Sequence, residues 1–311
     1  MRLPSISVAA AMRLVTLVLF ILAWFLVPNF GTPLNVRAVL ISVSAIGIAA
    51  VGLAFVTIAG RLFSLSIGAT IAVSTVVFAT YLHAGVLAAI GATLLAGLVI
   101  GAAQGYFVGL LKTNPIVTTI AAAAILIGVG QLITGGLNVT GTGDASVVQS
   151  RLFGWLPIPV ALFFLTTAVA WAAHRYSRFG RRVTLVGLNE RAALAGGVGS
   201  AWPVAAAFVL SALGAAVAGV IIGSEAGQGN LQLGVGLGLD VIVAVVVGGV
   251  SIKGGLGSPV DAAVGALFVG LVGNVLVLVG FSYENQLVLK GLLVLVAVIL
   301  AGRSAQRAKR T

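Results

Sequence analysis

The sequence predicts an all-α, polytopic membrane protein of about ten transmembrane helices, with both termini cytoplasmic. Three observations carry that class. Of 311 residues, 60% are hydrophobic and only 7% are charged, against roughly 25% charged in an average soluble domain. The apolar residues fall in repeated runs of about 20, long enough to cross the roughly 30 Å hydrocarbon layer as helices. Threaded back and forth through a bilayer from a cytoplasmic start, those runs leave all but Arg37, Arg151 and Lys290 of the 17 Lys and Arg on one side. Such a bias is the mark of the cytoplasmic face.

The spans follow in order. The first is placed at 13–30, and Gly31-Thr32-Pro33 makes an outer turn before the second at 36–59. No small-x-small cleavage pattern follows the apolar run after Arg13, so this reads as an uncleaved span and not a signal peptide. Arg61 marks the inner side. The third (65–81) and fourth (86–111) are joined by an outer turn around His83, and Lys112-Thr113-Asn114 returns the chain inside. The fifth (115–134) and sixth (157–173) enclose a polar outer loop, 135–156. The longest charged stretch, about 175–202, follows on the inner side with Arg175, Arg178, Arg181, Arg182 and Arg191. The seventh span (203–223) leads to a Gly-rich outer segment, 223–238, and a short eighth (239–250) returns inside at Lys253. The ninth (259–279) and tenth (285–301) complete the path, which ends in Arg303, Arg307, Lys309 and Arg310. Residues 1–311 thus form a single transmembrane domain with one large cytoplasmic loop.

The few polar residues at span ends read first as helix caps. In Ser258-Pro259-Val260-Asp261, Ser258 suits the cap, Pro259 the first turn and Asp261 the positive helix end. Asn114-Pro115 repeats the device. Asp240 sits just inside the outer end of the eighth segment, where a short polar side chain favours a helix start. Lys290 is expected to pair with Glu284 or to snorkel outward. Gly97, Gly101, Gly105 and Gly109 put a smooth stripe on the fourth span, suited to close helix packing within the chain.

Absences narrow the function. There is no cysteine, and His83 and His174 lack a partner ligand pattern, so no metal site and no cofactor is expected. None of Lys112, Lys253, Lys290 and Lys309 follows a glycine, which excludes a phosphate-binding P-loop; the chain cannot hydrolyse ATP alone. No catalytic constellation is present, so an enzyme is not expected. The basic charge lies in loops and tails and reports orientation, which argues against a nucleic-acid partner. Intramembrane acids, the usual equipment of a proton- or sodium-coupled carrier, are nearly missing.

The inner loop carries Gly187-Leu188-Asn189-Glu190-Arg191-Ala192-Ala193-Leu194-Ala195-Gly196-Gly197. Further on come Asp240-Val241-Ile242-Val243-Ala244, Gly248-Gly249-Val250-Ser251 and Gly254-Gly255-Leu256-Gly257. With Leu65-Ser66-Ile67-Gly68, Gly101-x-x-x-Gly105 and Asn114-Pro115-Ile116-Val117-Thr118-Thr119, this order resembles bacterial ATP-binding-cassette importer permeases of the ribose and monosaccharide type over nearly the whole chain. Two positions depart from the family pattern: Phe63-Ser64 where an acid is usual, and Gly238 where a second acid often precedes Asp240.

The resemblance implies a non-catalytic transport subunit of the bacterial inner membrane, surrounded by lipid. Its implied partners are two cytoplasmic ATPase subunits, a soluble sugar-binding protein on the outer side, and a second copy or homologue of the permease. It implies that Gly187, Asn189, Glu190, Arg191, Ala192, Ala193 and Gly196 form the ATPase-coupling segment. A neutral sugar needs hydroxyl partners and no counter-charge, so Ser64, Ser66, Asn114, Asp240 and Asn274 are the expected polar residues of the substrate path. Within the same importer class, autoinducer-2, a nucleoside or a branched-chain amino acid is the alternative cargo.

Overall fold

The computed structural model describes residues 8–292 and 295. Its long helices are α1 (Val8–Leu26), α2 (Pro33–Ile58), α3 (Ile67–Tyr81), α4 (Val86–Gly105), α5 (Pro115–Thr134), α7 (Ile158–Tyr176), α10 (Ala201–Ala226), α11 (Val235–Gly248) and α12 (Pro259–Leu278). Shorter ones are α6 (Ser146–Gln149), α8 (Arg178–Leu188) and α9 (Glu190–Ala195), and a last helix, α13, occupies 283–292.

Seven of these are long and apolar enough to cross a membrane, counting the short helical extensions of α3 and α4; α1 and α11 contain shorter apolar stretches, Met12–Leu26 and Gly236–Gly248. The latter part of the expected tenth span (285–301), all beyond 292 save residue 295, lies outside the described residues.

Helix α2 explains the arrangement. It is apolar on every side, and every residue from Val43 to Ile58 is buried. A helix without a polar face belongs at the centre of a bundle. Helices α7, α10, α11 and α12 all pack on it, and α10 also covers α3 and α4. The peripheral helices instead turn large apolar side chains outward, including Phe25 on α1, Leu95 on α4, Leu132 on α5 and Leu165 on α7. That surface suits hydrocarbon and would be untenable in water at such extent.

The caps expected at Asn114 and Ser258 form, and Thr32 supplies one more; Asp240, expected at a helix start, instead lies inside α11, which begins at Val235. Thr32 accepts from the Asn35 amide at 3.4 Å ahead of Pro33, and Asn114 accepts from Ile116 and Val117 at 3.0 and 3.4 Å ahead of Pro115. Ser258 accepts from the Asp261 amide at 3.3 Å and donates to its carboxylate at 2.8 Å, while Arg13 reaches the same carboxylate at 3.1 Å.

The glycine stripe of α4 packs within the chain, against α10. A methyl group on Gly101 would lie 2.7 Å from the Val209 Cα, and one on Gly105 would lie 2.7 Å from the Ala205 carbonyl. Gly97 and Gly109 meet the same helix at Ala216 and Ala201.

Loops gather into two groups. One joins the ends at 60–61, 187–190 and 253–255. The other joins the Val139–Thr140 strand to Gln228–Gly229 (β1 with β4), sets Asn35 against Asn274, and brings Arg37 to 3.7 Å from Glu225. This is the grouping that the alternation of spans requires.

A further expectation is corrected. The stretch 223–238 is not simply an outer loop: α10 runs to Ala226, α11 begins at Val235, and Gly234 and Gly238 lie backbone to backbone against Gly68 of α3. The glycines there serve contact as well as turning. The outer loop 135–156 also carries order of its own, in α6 and in the pair Arg151–Leu152 (β2) with Leu156–Pro157 (β3).

Replacing Gly101 by Val is expected to lower the melting temperature of detergent-purified protein by several degrees, because overpacking costs roughly 1–3 kcal/mol. Gly91 faces open space on the same helix, and Gly91→Val should leave the melting temperature near the parent value in the same fluorescence-detected thermal assay.

Candidate functional site

The inner group of loops contains the segment 187–196 that the sequence resemblance marks for ATPase coupling. Ser177 begins α8 by accepting from the Gly180 amide at 3.1 Å. This helix is amphipathic: Val183 and Val186 are buried, whereas Arg178, Arg181 and Arg182 are exposed. Asn189 then adopts extended backbone, ending α8, and its side chain accepts from the Ala192 amide at 3.1 Å to start α9. One residue therefore makes the bend and caps the next helix, which is why an asparagine suits the position.

Glu190 opens α9, where a carboxylate meets the positive helix end. It also receives a hydrogen bond from Arg61, the residue just beyond α2, at 2.8 Å. Ala193 is buried, Gly196 closes the helix, and Arg191, Ala192, Leu194 and Ala195 face outward. The segment thus has an anchored side and a free side.

What anchors it is a junction of four glycines. A side chain on Gly187 would collide with the Ile58 carbonyl at the end of α2. That carbonyl accepts from the Gly255 amide at 2.8 Å. A methyl on Gly254 would lie 2.6 Å from the Gly60 Cα and 2.8 Å from the Gly187 carbonyl, and Gly255 abuts Leu188. Gly60, Gly254 and Gly255 also take positive φ angles of 74°, 87° and 73°, a region glycine enters without strain. Three sequence motifs, the ends of α2 and α8 and the α11–α12 turn, therefore meet in one place.

The Glu190 carboxyl has competing influences. Burial raises its pKa, but the Ser200 hydroxyl and the Arg61 guanidinium more than offset this and hold it below the usual range.

The five residues expected along the substrate path are not brought together. Ser64 and Ser66 are buried, lie 2.9 Å apart, and donate to Gln104 of α4 at 3.2 and 2.9 Å. Asn274 and Asn35 exchange hydrogen bonds of 2.7 and 3.1 Å. Asp240 pairs with Lys290, whose Nζ lies 2.8 and 2.9 Å from its two carboxylate oxygens. Asn114 caps α5 and alone of the five is exposed. Lys290 pairs with Asp240 instead of Glu284, which corrects the expectation for that lysine. Among the described residues, no three of His, Asp and Glu stand close enough to hold a metal ion.

The residues missed from the sequence are the partners: Arg61, Gln104, Asn35 and Lys290. A signal existed for the last. Asp240 and Lys290 are isolated charges in apolar segments, both near the outer end, and a buried charge calls for a partner.

A family model described as "Branched-chain amino acid transport system / permease component" matches residues 35–298. The chain belongs to this permease family. It is 35% identical to the L-arabinose transport system permease protein of Escherichia coli (strain K12), over 96% of this chain and 92% of that one. The ribose import permease protein of Bacillus subtilis (strain 168) is 34% identical over 91% and 89%. The galactofuranose transporter permease protein of Escherichia coli (strain K12) is 35% identical over 87% and 80%. No solved structure shows a significant match. The permease is a multi-pass transport protein of the inner membrane, of the class that serves sugar importers.

A carboxyl with a depressed pKa supports its contact above the ordinary titration range and loses it only as pH falls through the lowered value. Hydrogen exchange of 187–196 is therefore expected to stay constant from pH 8 to 5 after correction for intrinsic rates, and to rise only below about 4.3, the usual glutamate value. Arg61→Ala should raise that exchange a few-fold at neutral pH, as expected for a partly exposed pair worth about 1 kcal/mol.

Proposed function

We propose that this chain is the transmembrane subunit of an ATP-binding-cassette importer that translocates a monosaccharide. A soluble binding protein delivers the sugar on the outer side, and separate cytoplasmic ATPase subunits drive alternating access through a path shared with a second copy or a homologue. The observation that carries this reading is the anchored α8–α9 segment. Its exposed face is free for a partner, and its anchored face reports to the ends of α2 and α11 through backbone contact. A push on α9 is thereby delivered to helices at the centre of the bundle, the kind of rigid-body input that alternating access needs. Gly187, Asn189, Gly196 and the Arg61–Glu190 pair shape the segment; Arg191, Ala192, Leu194 and Ala195 present it; Ala193 seats it.

The monosaccharide class rests on relatives named for arabinose, ribose and galactofuranose, matched at 34–35% identity. The description of the family model supports a branched-chain amino acid as the second reading. In the proposed path Asn114 is the exposed polar contact, and Ser64, Ser66, Asp240 and Asn274 act as satisfied groups that hold the wall.

Reconstitution with the ATPase and binding protein should give ATP-dependent uptake of a labelled pentose or furanose and none of leucine; leucine uptake alone would establish the second reading. Ala193→Trp should cost at least tenfold in uptake together with ATPase association, measured by co-purification. The chain has no cysteine, so Ala195→Cys should react with an impermeant maleimide only from the cytoplasmic side and Thr142→Cys only from outside. Reversed labelling would overturn the orientation.

A further inference from the structure

Helix α11 is fastened at both ends. At its inner end Gly249 closes the helix in the left-handed region with φ of 104°, and the turn that follows bears Gly254 and Gly255 into the four-glycine junction with Gly60, Gly187 and the Ile58 carbonyl. At its outer half Asp240 meets Lys290 of α13, both nine-tenths buried, at 2.8 Å. Beside that pair the Tyr283 hydroxyl of α13 lies against Gly236. The 14 residues of α11 span about 21 Å at 1.5 Å per residue, most of the hydrocarbon thickness.

The two ends differ in the force that holds them. At the junction, backbones touch because glycine removes the side chains. On α13, Val288 and Leu292 are exposed, and lipid is as apolar as they are, so apolar burial gives little drive to hold this helix on the bundle. A buried ion pair does. Neither charge can leave its partner without standing alone in a low-dielectric setting, which strongly disfavours separation.

We infer that α11 is a transmission rod, clamped to the ATPase-coupling segment at one end and, through the Asp240–Lys290 pair, to α13 at the other, so that the C-terminal helix moves as one body with the coupling segment. Asp240 and Lys290 are then positioning residues that touch no substrate. The inference extends the importer reading above, since the input it transmits is the one proposed there.

The test uses the full transporter, with its ATPase and binding protein, in proteoliposomes. Asp240→Asn combined with Lys290→Met removes both charges without stranding either. This variant is expected to assemble and hydrolyse ATP at the basal rate, while sugar taken up per ATP falls at least tenfold. The reversed pair, Asp240→Lys with Lys290→Asp, should recover most of that ratio. An unchanged ratio in the neutral double variant would overturn the inference, leaving the pair as mutual neutralisation only.

A second measurement needs no change to the pair. Spin labels at Ala195→Cys and Val288→Cys should keep one distance distribution with and without trapped ATP, and should lose that constancy in the neutral double variant. A shift on ATP trapping with the pair intact would refute the rod. If the parent complex takes up no monosaccharide, the importer reading fails on its own, and the spin-label distances still decide whether the two helices move together.

Discussion

The bundle is governed by a constraint of its solvent: in hydrocarbon, burying apolar side chains gives helices little reason to associate. What remains is close van der Waals contact, which needs small residues at the seam, and a few polar attachments. Both are used throughout. Gly97 to Gly109 bring α4 onto α10, Gly68 meets Gly234 and Gly238 between α3 and α11, and Gly265 meets the Ala244 carbonyl between α12 and α11. The polar attachments join segments far apart in sequence: Arg13 with Asp261, Asn35 with Asn274, Arg61 with Glu190 and Lys290 with Asp240. Glycine sets how near two helices come, and the polar pairs fix which helices these are.

This division explains which parts were legible in the sequence. Span positions follow from local hydropathy and from Pro-bearing caps, so Asn114-Pro115 and Ser258-Pro259 begin helices where expected. The glycine stripe of α4 is likewise a local spacing, and its use within the chain follows from the general value of such stripes. The segment 187–197 was legible as a motif, but its internal form was not. The switch from α8 to α9 depends on Asn189 acting at two helix ends at once. The partners were least legible, because pairing Ser66 with Gln104 or Arg61 with Glu190 requires knowing which spans are neighbours, and period and hydropathy are silent on that. The 223–238 run was misjudged for a related reason. Glycine serves both turns and close contacts, and only the facing Gly68 reveals which use applies.

The four-glycine junction combines the two devices in one place. Backbone contact among Gly60, Gly187, Gly254 and Gly255 makes the meeting of α2, α8 and the α11–α12 turn incompressible, since there is no side chain left to yield. The Arg61–Glu190 pair then sets the direction in which α9 projects. A displacement of α9 is therefore poorly absorbed by rotamer changes and passes into the helices, which suits the driving role proposed for it.

The same economy bears on selectivity. Of the five polar residues first placed along a path, four are committed to partners within the chain, and the charged one is neutralised by Lys290. If these residues line the proposed path, their satisfied polar groups would offer a passing sugar little discrimination between hydroxyl patterns, because strong rejection arises when a mismatched cargo leaves buried groups unpaired. Relatives named for three different monosaccharides, at nearly equal identity to this chain, fit such a wall. Under the proposed importer reading, the choice of sugar would then fall to the protein that delivers it, with the permease contributing a neutral path.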